Sequence, residues 1–110
     1  EEDIRRCWDA MRDIGRNGAP VELEAIREHL MALAIEEGAN QDEASVEGEI
    51  SGFVASLFLT HRGFAEIWQM GEASEGRIFI KDRWPSSKSY DEARHKIAEE
   101  RGISLMEAEV

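Results

Sequence analysis

Apolar residues recur at helical spacing along most of this chain. Ile4, Cys7, Trp8, Met11 and Ile14 fall at i, i+3, i+4, i+7 and i+10, which predicts an amphipathic helix within Asp3 to Gly18. Asp3 can cap its start, and Asn17-Gly18 can end it. After a short extended piece at Pro20 and Val21, the residues Leu23, Ile26, Leu30, Leu33 and Ile35 predict a second helix ending near Gly38. Val46, Ile50, Phe53, Val54, Leu57 and Phe58 form a third helical stripe, with Asp42 or Ser45 as N-cap. Gly48 and Gly52 lie inside that helix, where each costs up to about 1 kcal/mol in propensity. Either they admit another backbone at close range or they carry no special role.

The helical pattern stops at GFAEIWQMGEASEGRIFIKD, Gly63 to Asp82. Phe64, Ala65, Ile67, Trp68 and Met70 make one strand, and Ile78, Phe79 and Ile80 make another. The tract from Gly71 to Gly76 is long for a tight turn and suits a loose hairpin tip. Neither strand alternates cleanly, so one face is expected to pack on the helices and the other to be partly exposed. Pro85 breaks the pattern. Ser89 and Glu92 then form a capping box before a further helix, with Gly102 as its C′ residue. Ser104 and Glu107 repeat the box with too few residues to finish a helix, so the native chain is expected to continue past Val110.

Helix, short extended piece, helix, helix, hairpin and further helix is an order that resembles the winged helix-turn-helix superfamily. The resemblance covers Asp3 to Trp84 and is carried best by THRGFAEIWQMGEASEGRIFIKD. It implies an α+β, mainly helical fold: a three-helix winged-helix core over residues 1–84 with a β-hairpin wing, and an additional C-terminal helix in an extension over 85–110. It also implies that the third helix, Glu43 to Arg62, stands where the superfamily reads the DNA major groove, with the wing tip over the backbone.

The charge does not suit that use. The chain's 110 residues carry a net charge of −11. No Lys or Arg occurs between Glu28 and His61, while Glu28, Glu36, Glu37, Asp42, Glu43, Glu47 and Glu49 do. Acids in a first turn also serve the helix dipole, yet together they repel phosphate. From Glu1 to Arg62 there are 14 acids against 6 bases, whereas Gly63 to Lys88 balances 4 against 4. The cations near the hairpin, Arg62, Arg77, Lys81, Arg83 and Lys88, are the candidate nucleic-acid contacts, beside Trp68 and Trp84. As strand-edge charges they would equally discourage edge pairing. Glu72 and Glu75 at the tip are poor phosphate chemistry.

No metal, cofactor or catalytic signature emerges. His29, His61 and His95 are far apart and lack a second ligand at helical spacing. Cys7 reads as a small buried hydrophobe, and a single cysteine fits a reducing, cytoplasmic setting. No stretch is apolar enough for a membrane span. The expectation is a non-catalytic module for protein-protein interaction or assembly, with Trp68, Met70 and Phe79 as partner-binding anchors. By resemblance, homodimerisation would run through the first or the C-terminal helix. The alternative is a DNA-binding transcriptional regulator whose wing flanks contact the backbone, with dimerisation gathering Arg5, Arg6, Arg77, Lys81 and Arg83 on one face. A third reading is an acidic decoy imitating nucleic acid.

Overall fold

The computed structural model describes residues 2–71 and 76–102. Helix α1 spans Glu2–Ile14 and is followed by a 3₁₀ turn, Arg16–Gly18. Strand β1, Val21–Glu22, leads directly into α2, Leu23–Glu36. Residues 37–40 link α2 to a long third helix built of three pieces. These are α3, Gln41–Glu47, a π-helical segment, Gly48–Val54, and α4, Ala55–His61. The residues on either side of the π segment keep right-handed helical dihedrals, so the rod runs unbroken from 41 to 61. The hairpin strands β2, Ala65–Met70, and β3, Arg77–Asp82, follow, and α5, Tyr90–Arg101, closes the described chain.

The sheet is antiparallel in the order β1-β3-β2. Val21 pairs with Ile80, Ile67 with Ile80 from the other side, and Trp68 with Phe79. The fold is therefore α+β and mainly helical, with one three-stranded antiparallel sheet. The extended piece expected at Pro20 and Val21 is the strand that completes this sheet.

One apolar core joins α1, α2, α4, α5 and the sheet. It gathers Ile4, Cys7, Trp8 and Met11 of α1, Ile26 and Leu30 of α2, Leu59 of α4, and Phe64 and Ile80 around the sheet. Helix α5 enters the same cluster through Tyr90, Ala93 and Ile97. Tyr90 stacks on Phe64 at 4.5 Å and meets Trp8 edge-on at 5.8 Å. The end of β3 is pinned to α1 by a buried carboxylate. Asp82 lies 3.3 Å from Arg12 Nε and accepts the Trp84 N–H at 2.9 Å, while Arg12 also donates to the Pro85 carbonyl.

Several local expectations change. The third helix is capped by Asn40, two residues before Asp42. Asn40 Oδ1 accepts the Glu43 N–H at 2.8 Å, and Glu43 Oε1 accepts the Asn40 N–H at 3.0 Å. A box starting at Asn40 satisfies two orphan donors, which neither Asp42 nor Ser45 could do once inside the helix. Helix α5 has Ser89 as N-cap, accepting the Glu92 N–H at 3.1 Å, but the Glu92 carboxylate reaches back to the N–H of Lys88. Gly102 is left-handed at φ 68°, as a C′ residue requires. Ile14, Leu33 and Ile35 lie on the surface, each more than a third exposed. The second capping box, Ser104 and Glu107, and the tip residues Glu72 and Glu75 lie outside the described residues.

Candidate functional site

The third helix is turned opposite to what its large side chains would predict. Its buried residues are Ala44, Gly48, Ser51, Gly52, Ala55, Ser56 and Leu59. Apart from Leu59, its large apolar residues face water: Val46 is 58% exposed, and Ile50, Phe53, Val54, Leu57 and Phe58 are each between 40% and 46% exposed. The hydrophobic stripe read from the sequence is real, and it forms the outer face of the rod.

Small residues on the inner face let this helix sit tightly against α2. A Cβ at Gly48 would lie 2.8 Å from Met31 Cγ and 3.0 Å from Arg27 Cγ, and one at Gly52 would lie 3.4 Å from the Arg27 Cα. Of the two roles left open for these glycines, close approach is the one they serve. On the side toward α1 the Ser51 hydroxyl sits between two carboxylates, 2.6 Å from Glu47 Oε1 and 3.0 Å from Asp3 Oδ1, with one proton to donate. Large side chains cannot enter an interface this narrow, so they point away. The Cys7 thiol donates to the Gly52 carbonyl at 3.6 Å, inside the π segment. Burial pushes this thiol up to about 12, so it stays protonated and serves packing rather than nucleophilic chemistry.

The outer stripe borders a cleft of about 450 Å³ between the third helix and the sheet. Phe53 and Glu49 line one side, Leu23 and Arg27 the floor, and Arg77 and Ile78 the other side. Arg77 forms a two-pronged pair with Glu22 across β1 and β3, at 2.8 and 2.9 Å. Those hydrogen bonds lower the Glu22 pKa below the ordinary glutamate value.

The three anchors expected in the hairpin share one face. Strand alternation puts Trp68, Met70 and Phe79 on the side of the sheet opposite Ala65, Val21 and Ile80, which face the helices. Trp68 and Phe79 stack at 6.0 Å and half-bury each other, leaving Met70 exposed at 58%. This second apolar spot is smaller than the helix stripe, and Glu22, Glu66, Arg77 and Lys81 share its strand face.

Of the candidate phosphate contacts, Lys81 and Arg83 line one shallow cleft with Glu66 and Asp82, and several others are engaged within the fold. Besides pairing with Glu22, Arg77 lies 5.8 Å from the Phe79 ring. Arg83 is held by Glu100 at 3.1 Å and donates to the Gly63 carbonyl, clamping the junction between the third helix and β2. Arg62 lies over the Phe58 ring at 5.6 Å, at the end of the apolar stripe. Lys81 and Lys88 are exposed, one on the sheet and the other just before α5. Arg5 pairs with Asp91, and Arg6 with Glu2, Glu37 and Glu47. Among the described residues, no three His, Cys, Asp or Glu side chains are grouped to hold a metal ion, and no helix is long and apolar enough to cross a membrane.

Sequence reasoning found the six residues of the stripe but not their orientation. The signal that could have shown it is the second set at helical spacing, Ala44, Gly48, Gly52, Ala55 and Leu59, which is rich in small residues. The chain matches no protein-family model, no curated protein and no solved structure.

Proposed function

We propose that this chain is a non-catalytic winged-helix-type module for protein-protein interaction, docking through the outer face of its third helix. The element order, and the pairing of β1 with the far strand of the hairpin in the order β1-β3-β2, support a winged-helix arrangement. The observation that carries the reading is the inverted third helix. At side-chain areas of roughly 150–200 Å² each, its exposed fractions leave on the order of 500 Å² of apolar surface in water. That is at the upper end for one patch on a monomer, where such patches usually mark an interaction site. No charged residue interrupts it between Glu49 and His61.

A groove-reading helix needs polar and cationic side chains toward the bases and phosphates. Here the same position presents Val, Ile, Leu and Phe, with acids at its start. Duplex titration separates the two uses. Fluorescence anisotropy of a labelled mixed-sequence duplex is expected to stay flat at about 50 mM salt. Micromolar binding that collapses by about 200 mM would overturn the reading in favour of phosphate contact by the wing flanks.

A further inference from the structure

The geometry points to a second copy of this chain as the occupant of the third-helix face, packed antiparallel across a two-fold axis level with Gly52. This rests on the reading above and adds the identity of the partner. Three observations lead to it.

The first is that four of the six stripe residues are placed symmetrically about Gly52. Val46 and Phe58 lie six positions on either side of Gly52, and Ile50 and Val54 lie two on either side. A two-fold contact is isologous, so residue i meets residue j and j meets i. An antiparallel pair centred here sets Val46 against the partner copy's Phe58 position, and Ile50 against its Val54 position, at both ends alike.

The second is charge. The N-terminal end of the helix carries the acids Asp42 and Glu43, and the C-terminal end carries Arg62 beside His61. Asp42 and Arg62 lie ten positions on either side of Gly52, and Glu43 and His61 lie nine. Antiparallel packing brings acids of one copy over Arg62 of the other, twice. It also opposes the two helix dipoles favourably. A parallel pair would stack acid on acid.

The third is area and availability. Each copy brings on the order of 500 Å² of apolar surface plus its polar rim, which approaches the roughly 800 Å² per partner of a standard stable interface. Helices α1 and α5 spend most of their apolar residues in the core, while α2 leaves Leu33 and Ile35 partly exposed. Ile4, Cys7, Trp8 and Met11 of α1, and Tyr90, Ala93 and Ile97 of α5, all lie in the core. Dimerisation through the first or C-terminal helix, expected by resemblance, would use the polar faces of these helices and partly exposed residues such as Ile14.

Sedimentation equilibrium at about 150 mM salt, where screening beyond about 8 Å suppresses repulsion between the two acidic bodies, should give twice 12.4 kDa at about 100 µM chain. Leu57→Lys should return the monomer with an unchanged helical circular-dichroism spectrum. Arg62→Asp and Asp42→Lys should each weaken self-association roughly two- to thirty-fold, as two related surface ion contacts reverse. Mixing those two variants should restore a mixed dimer. A chain monomeric at about 100 µM, a dimer indifferent to Leu57→Lys, or charge variants that fail to rescue each other would overturn the antiparallel pairing. A monomer that still cross-links through Leu57 to a different protein would overturn self-pairing while leaving the docking reading intact.

Discussion

Leu57 and Leu59 are two residues apart in the third helix and should lose very different amounts of stability on truncation. Leu59 is fully buried, touching the core shared with α1 and Phe64, while Leu57 is 46% exposed. Leu59→Ala removes buried methyl groups and leaves a cavity, so it should cost about 2–5 kcal/mol. At about 4 °C per kcal/mol for a domain of this size, the melting midpoint should fall by roughly 8–20 °C. Leu57→Ala forfeits about half the burial of a leucine side chain, so about 1 kcal/mol or less. Urea unfolding followed through Trp8, which is buried beside Tyr90, reads both. Working at about 1 µM chain keeps self-association from adding to stability. Equal losses, or a larger loss at Leu57, would mean that the third helix is rotated and that its large side chains form the core.

Further outcomes test the surrounding contacts. Gly48→Val should destabilise by about 1–3 kcal/mol, because the added atoms meet Met31 and Arg27, whereas Gly52→Ala should be near neutral, and both are read by the same urea titration. Asp82→Ala should cost several kcal/mol, because Arg12 would be left without its buried partner; a loss under about 0.5 kcal/mol would refute the pinning of β3 to α1. Cys7 has a raised pKa in the fold, so the unfolded chain releases its proton first as pH rises. Stability from this group is therefore complete below about pH 8.5 and falls between there and about 12, and Cys7→Ala should flatten that slope in pH-dependent melting. Iodoacetamide should label Cys7 only as fast as the fold opens; rapid labelling of the native chain would contradict its burial.

Much of the fold was legible because each element carried its own local signal. The α1 stripe of Ile4, Cys7, Trp8 and Met11 faces the core as its period requires. Gly71 and Gly76 bound the hairpin connection, and Val21 supplies the third strand. The third helix was legible as a helix but not in its orientation. Two residue sets there share helical spacing, and hydrophobicity favours the larger one. What decides between them is the distance to α2, a tertiary fact that the pair Gly48 and Gly52 only hints at. Trp68, Met70 and Phe79 share one face because the strand register pairs Trp68 with Phe79. The fate of the cations was not legible. Arg77 and Arg83 find Glu22 and Glu100 across 55 and 17 residues of chain, and such partners emerge only with the fold.

The docking role of the third helix is tested most directly by placing a photo-cross-linking side chain at Leu57, with Glu99 on the exposed side of α5 as the control position, in the cells the chain comes from. The account predicts protein adducts at Leu57, a second copy of the chain among them, and none in common at Glu99. Adducts to nucleic acid at Leu57, or the same protein adducts at both positions, would contradict it.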